Sequence, residues 1–316
     1  MSTTTAARLV RHGDPLRVAE VALPEPGPDE VLVAMAYAGV NPVDRYGAEG
    51  RVAADGPVPR TLGTEGVGRV AGRPVLVYGH GVGTRRDGLW AGAAVVPAAA
   101  VVDLPEGVDA VPAAAMGVAG VTAWRVVTEL GGVTPDDRVL VLGASGGVGS
   151  VALSVARGIG AEVWGQTVRR ENVAWITGRG ARRVVVGAAD RLVAAVGGWQ
   201  PTVVVDPLGG GYTGAAIEAM APHGRLVILG TSAGPRGELP LQALYRKGLT
   251  ISGYGGLIEP EDVMARAVRA ALQALADGRL HVPVDDVVPL AEVNGALRRL
   301  AGHGVRGKLV LDLAAG

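Results

Sequence analysis

Residues 138–171 restrict the fold of this chain more than any other stretch. The run Val139–Leu142 is apolar and rich in β-branched residues, as a strand covered on both faces should be. Gly143, Gly146, Gly147 and Gly149 follow at once. They permit a tight turn and let a ligand approach the backbone with no Cβ in the way. Val148, Val151, Ala152, Val155, Ala156 and Ile159 then recur at helical spacing, so the turn opens onto a helix N-terminus. Free N–H groups and the helix dipole favour an anion there. A second strand, about Glu162–Thr167, comes on schedule. A glycine turn alone is weak, but strand, turn, helix and strand in this order predict a dinucleotide with its pyrophosphate over Ser145, Gly146, Gly147, Val148 and Gly149.

The end of the second strand bears on which dinucleotide. A site for NAD usually places Asp or Glu there, some 20 residues on, against the ribose hydroxyls. Here Glu162 stands at the strand's start, too early to reach, and Gly165, Gln166, Thr167, Val168, Arg169 and Arg170 close it. Guanidinium groups suit a 2′-phosphate, which they can pair in a planar, bidentate manner. The expected cofactor is NADPH, held at this end by Gly165, Thr167, Arg169 and Arg170.

Bulk properties narrow the partners. The chain has 316 residues, zero formal net charge and no cysteine. A balanced charge argues against nucleic acid or an anionic membrane, both of which call for a clustered positive field. The absence of cysteine removes disulfides, thiol nucleophiles and cysteine-based zinc sites. Apolar stretches such as Ala91–Val102 and Val111–Trp124 are interrupted by Gly and Pro and fall short of a membrane span. A cytoplasmic protein acting on a small molecule is the expectation.

Residues 1–110 carry the punctuation of β structure, with short apolar runs at Glu30–Tyr37, Val67–Val70, Val75–Tyr78 and Ala93–Val96 between Pro- and Gly-rich turns. Ala110–Leu130 reads as largely helical. Beyond it strands and helices alternate, with strands at Arg138–Gly143, Arg183–Val186, Thr202–Asp206, Arg225–Gly230 and Leu249–Gly253 and helices that include Glu261–Ala276. Such alternation means a mostly parallel sheet covered on both faces. A helix near Ala291–Ala301 and a strand at Lys308–Leu313 finish the chain.

Several segments together resemble the medium-chain dehydrogenase/reductase superfamily, in its zinc-independent quinone oxidoreductase (zeta-crystallin-like) branch. They are Asn41-Pro42-Val43-Asp44-Arg45-Tyr46, Gly63-Thr64-Glu65-Gly66, Val121-Thr122-Ala123-Trp124, the nucleotide turn, Asp206-Pro207-Leu208-Gly209-Gly210, Gly224–Gly230 and Gly307-Lys308-Leu309-Val310-Leu311. The resemblance implies an α/β protein: a Rossmann doubly wound parallel sheet (117–278) inserted in a GroES-like β-rich catalytic domain (1–116 and 279–316), with the active site in the cleft between them. It also implies a homodimer joined through the strand at Leu249–Gly253. Zinc-dependent relatives carry a His where this chain has Thr64, and His12, His80, His223, His281 and His303 are scattered, so no metal ligands are expected.

Without metal, flavin motif or thiol, the expected chemistry is hydride transfer from NADPH to a quinone or an activated C=C bond (enone or enoyl). Reduction of a carbonyl or imine, and a non-catalytic NADPH-binding protein, are the alternatives. By the resemblance, Tyr46 stands beside the nicotinamide, on a loop, as donor to the developing oxyanion or as proton source, with water as its competitor. Asn41 holds the nicotinamide ribose or the substrate carbonyl, and Asp44 fixes the loop. Thr122, Leu208, Gly230, Thr231, Ser232 and Tyr254 line the cofactor. Arg306 and Lys308 approach its phosphates.

Overall fold

Short apolar runs in the first hundred residues become antiparallel strands because alternate side chains face a packed and a wetter side. In a computed structural model that describes residues 2–302 and 304–314, these are β1 (Thr3–Leu9), β2 (Arg17–Ala22), β3 (Glu30–Val40), β4 (Arg60–Thr61), β5 (Glu65–Val70), β6 (Arg73–Tyr78), β7 (Ala93–Pro97) and β8 (Val101–Asp103). Along β3 the side chains of Val33, Met35 and Ala38 point into the core while Leu32 and Ala34 are exposed. The expected loop around Asp44 and Tyr46 is instead a seven-residue helix, α1 (Pro42–Ala48). Asn41 caps it, Pro42 pre-sets the first turn, and Asp44 Oδ2 accepts the Asn41 N–H at 2.8 Å.

The largely helical stretch expected over Ala110–Leu130 is three pieces: α2 (Ala110–Ala114), α3 (Met116–Trp124) and a π-helical turn at Arg125–Leu130. Ala115 leaves the helical region at φ −113°, and nothing in an Ala- and Val-rich pattern signals such a break.

The alternating half then runs β9 (Arg138–Val141), α4 (Gly147–Ile159), β10 (Glu162–Thr167), α5 (Val173–Thr177), β11 (Arg183–Val186), α6 (Ala189–Val196), β12 (Val203–Asp206), α7 (Gly211–Ala219), β13 (Arg225–Ile228), α8 (Leu241–Arg246) and β14 (Thr250–Gly253). All six strands are parallel, in the order β11-β10-β9-β12-β13-β14. The chain leaves β9 toward β10 on one side and later returns to β12 on the other. That reversal is the topological switch at which open α/β sheets bind ligands. Val139, Leu140 and Val141 are fully buried, each contributing roughly 1.5–3 kcal/mol of apolar burial.

After α9 (Glu261–Ala276), β15 (Val284–Pro289) and α10 (Val293–Ala301), the closing strand β16 (Lys308–Asp312) pairs antiparallel with β3 and parallel with β15. The resulting seven-stranded sheet belongs to the first of two units, residues 1–118, 260–276 and 282–316. The second unit comprises residues 119–259 and 277–281. One boundary differs from the expectation. Helix α9, assigned from sequence to the dinucleotide-binding domain, belongs to the first unit, where Leu272 lines one groove together with Val31, Val70 and Val101.

Candidate functional site

In the second unit, β9 delivers the chain into a turn held by a side chain that the sequence reading left without a role. Gln166, 1% exposed on β10, accepts the Gly143 N–H on Oε1 at 3.0 Å and donates from Nε2 to the Gly187 carbonyl at 2.7 Å. A buried amide in an otherwise apolar strand is the signal that marks it, because such a group must find partners. Gly143 adopts φ +57°, which favours glycine. At Gly149 a Cβ would collide with the Gly143 carbonyl oxygen, so only glycine closes this turn. Gly146 caps α4 with no side-chain hydrogen bond, leaving the first-turn N–H groups for an anion. Ser145 accepts a hydrogen bond from Asn172 Nδ2 at 3.0 Å.

Several of the other expected residues end or follow the strands of the same sheet. Gly165 lies inside β10, where a Cβ would meet Ile176 and Ala144 within 3 Å. Packing alone thus accounts for a glycine at this position. Thr167 is buried and its Oγ1 accepts the Arg169 N–H at 3.2 Å. Arg169 and Arg170 do follow the end of β10, with the Arg169 side chain 41% exposed and 3.7 Å from Glu171. At the end of β12 the buried Asp206 organises the next turn. Its Oδ1 accepts the Leu208 and Gly209 N–H groups at 2.9 Å, and Oδ2 accepts the Thr213 hydroxyl at 2.7 Å. Gly230 packs on the Pro207 carbonyl, and Ser232 Oγ donates to that carbonyl at 3.2 Å. Thr231 and Ser232 are exposed. Tyr254 is buried with a hydrogen bond to Thr122, and burial pushes its phenol pKa up. The Arg125 guanidinium lies 5.4 Å from its ring centroid and pairs with Glu259 at 2.5 Å.

In the first unit a buried polar cluster underlies α1. Lys308 on β16 is 3% exposed and Glu65 on β5 is fully buried, with 2.8 Å between Nζ and Oε1. Lys308 Nζ also donates to Asn41 Oδ1 and, at 3.3 Å, to the Val40 carbonyl. Asn41 Nδ2 donates to Glu65 Oε1 at 2.6 Å, and the Val118 N–H reaches Glu65 Oε2 at 2.7 Å. All three ammonium N–H groups are therefore committed, and Lys308 has none left for a phosphate. This corrects its expected role. Asn41, expected at the nicotinamide ribose, has both ends of its amide engaged in the same cluster. Arg306, just before β16, is half-buried.

Asp44 completes the cluster, accepting from Thr64 N at 3.1 Å as well as from Asn41 N. Burial pushes its carboxyl up to about 7; the Glu65 charge adds to the effect and Lys308 opposes it. Asp44 thus fixes α1 as expected, and α1 carries Tyr46, half-buried, with the guanidiniums of Arg45 and Arg51 at 4.9 and 4.4 Å from its ring centroid.

Two family models match this chain: an alcohol dehydrogenase GroES-like domain over residues 27–106 and a zinc-binding dehydrogenase over residues 179–311. The chain is 29% identical to the putative quinone oxidoreductase YhfP of Bacillus subtilis, over 90% of this chain and 91% of that protein. The structure of YhfP with NAD bound superimposes with a TM-score of 0.86 at 25% identity, covering 99% of this chain and 100% of that one. The quinone oxidoreductase from Thermus thermophilus, solved also with NADPH, gives 0.86 at 28% identity over 98% of this chain and 100% of that one. The chain belongs to the medium-chain dehydrogenase/reductase superfamily, in its quinone oxidoreductase-like branch. It is an oxidoreductase of that type. It is also 30% identical, over 91% of its length, to a mycocerosic acid synthase-like polyketide synthase of Mycolicibacterium smegmatis, of which it spans 14%.

The second family model's description implies zinc, and the donor set does not fit it. There is no cysteine in the sequence, and no group of three or more His, Asp or Glu among the described residues could hold an ion. His303 lies outside the described residues. A nicotinamide dinucleotide does fit the glycine cradle at the head of α4.

Proposed function

We propose that this protein is an NADPH-dependent oxidoreductase that reduces a quinone or an electron-poor C=C bond conjugated to a carbonyl. The observation that carries the reading is the Gly143–Gly149 turn at the carboxyl end of β9, with Arg169 and Arg170 in place of an acid beyond β10. The amides of Gly147, Val148 and Gly149 would hold the pyrophosphate, and Arg169 with Arg170 the 2′-phosphate. Ser145, Thr167, Leu208, Gly230, Thr231 and Ser232 border the same switch point, with Thr122 and Tyr254 assigned to the nicotinamide end.

When bound, the cofactor supplies a hydride to the substrate carbon β to the carbonyl. Negative charge then develops on the carbonyl oxygen, where a pre-placed donor counts for most. Tyr46 Oη is assigned to that donation, and the arginines at its ring favour an anion beside it. Asn41, held by Lys308 and Glu65, and Asp44 position α1 and so position Tyr46.

The homodimer reading is supported by β14, the edge strand of its sheet, and by Leu241, Tyr245, Leu257 and Ile258, which are 59–86% exposed nearby in sequence. An apolar edge of this kind invites a partner strand. Among the described residues no helix is long and apolar enough to cross a membrane, in keeping with a cytoplasmic enzyme. The test is a panel assay: protein with NADPH and naphthoquinone, alkenals, a crotonyl thioester and simple aldehydes, following oxidation of the cofactor. Turnover of the quinone or the enones supports the proposal. Turnover of aldehydes alone would make it a carbonyl reductase.

A further inference from the structure

Arg60 is 1% exposed, yet among the described residues two of its three guanidinium nitrogens, Nε and Nη2, have no hydrogen-bond partner. The third, Nη1, donates to the Pro57 carbonyl at 3.0 Å. The nearby acids Asp55 and Asp87 attract the charge across space without forming an ion pair with it. Asp87 Oδ1 is taken by Arg8 Nη1 at 2.7 Å and by the Thr61 N–H at 2.6 Å. Asp55 is exposed and attracts Arg60 only across space, outside ion-pair distance. A buried charge without an ion-pair partner is among the costliest features a fold can carry.

The position of this guanidinium gives it meaning. Its Nη2 lies 3.7 Å from where a Cβ on Gly47 would stand, and Gly47 follows Tyr46 directly. Arg45 Nε is a further buried donor with no partner among the described residues. Arg45 and Arg51 are the two cations against the Tyr46 ring, and both share one acid, Glu49, at 3.7 and 3.1 Å. Side-chain exposure grades from 62% at Arg51 through 26% at Arg45 to the buried Arg60. Two guanidiniums thus flank the residue assigned to the substrate oxygen, and a third, Arg60, lies beside the glycine that follows it.

We infer that the segment 45–60 recognises an anionic group on the substrate, a carboxylate or a phosphate, with Arg60 as the inner ligand and Arg45 and Arg51 as the outer ones. The inference rests on the reading of Tyr46 as the donor and narrows the substrate to an enone or enoyl compound that carries an oxyanion apart from its reacting carbonyl. Planar guanidinium edges match either oxyanion in bidentate fashion.

The experiment compares kcat/KM for matched substrates with NADPH: β-acetylacrylate (carboxylate) against neutral ethylideneacetone, and crotonyl phosphopantetheine (phosphate) against neutral crotonyl N-acetylcysteamine. The wild type should prefer the anion of at least one pair, and the pair that shows the preference identifies the source. In Arg60→Met that preference should fall by about 10–100-fold, the worth of a charge-assisted pair, and Arg60→Lys should restore part of it. No preference in either pair, or a fall in both members alike, overturns the inference and leaves Arg60 a structural residue. Should Arg60→Met not fold, Arg51→Gln must lower the same ratio, and an unchanged ratio counts against the inference. A second readout needs no turnover. Levulinate or phosphopantetheine should raise the melting temperature of the wild type and not of the variant. Protection by either with no reduction of any enone would sink the oxidoreductase reading while sparing the anion site, and absence of protection by both would sink the site.

Discussion

Replacing Lys308 by Met removes the one cation from the buried cluster and nearly preserves its volume. Glu65, fully buried, then keeps the Asn41 Nδ2 and Val118 N–H donors and loses its ion pair at 2.8 Å. Deleting one partner of a buried pair typically costs about 3–5 kcal/mol, because the other charge stays behind. Two remaining donors place this case at the low end, about 3 kcal/mol. For a folding unit of 150–250 residues that corresponds to a fall of roughly 6–12 °C in melting temperature. Differential scanning calorimetry of Lys308→Met, Glu65→Gln and the double variant measures it. The double variant, with both charges gone, should lose less than the sum of the singles by about 2 kcal/mol or more. A melting temperature within about 1 °C of wild type, or strict additivity, would refute the account of the cluster as one electrostatic unit.

The same cluster sets a pH dependence. Asp44 has its folded pKa pushed up to about 7, above an unfolded value near 3.9. Its stabilising share is therefore complete below about pH 4 and lost as pH rises through about 7, so thermal melts should be higher at about pH 5 than at about pH 8. Asp44→Asn should flatten that difference, and an equal slope in both proteins would remove Asp44 as its source. Arg169→Ala should weaken NADPH by about 10–100-fold with NADH nearly unaffected, as read by calorimetric titration; equal losses would take Arg169 off the 2′-phosphate. Tyr46→Phe should lower kcat with cofactor affinity retained, whereas an unchanged rate would assign the proton to water. Light scattering should give twice the chain mass, and a monomer would contradict the pairing of β14 with its twin.

Most of the second unit was legible because its signals are local. The ends of β10 and β11 agree with the runs Glu162–Thr167 and Arg183–Val186, and α9 begins just after Pro260 as its acids suggest. The glycine turn was legible because φ at Gly143 and the close approach at Gly149 admit almost no other residue. Helix α1 was not, since seven residues after an Asn-Pro read as a turn, and only the reciprocal bond from Asp44 makes the helix visible. Lys308 and Glu65 are 243 residues apart, so nothing in the sequence shows that they neutralise each other. A lysine beside an edge strand reads as solvated until the sheet order places β16 between β15 and β3. Arg60 escaped notice for the same reason, because burial of a guanidinium is a property of the loops around it.

The most direct measurement on the central claim is the oxidation of reduced nicotinamide by naphthoquinone and by enones, catalysed by the metal-free protein after exhaustive chelation. The account expects turnover that chelation leaves intact and that falls in Arg169→Ala with NADPH but not with NADH. No binding heat from either coenzyme, or activity that vanishes with the chelator and returns with zinc, would contradict it.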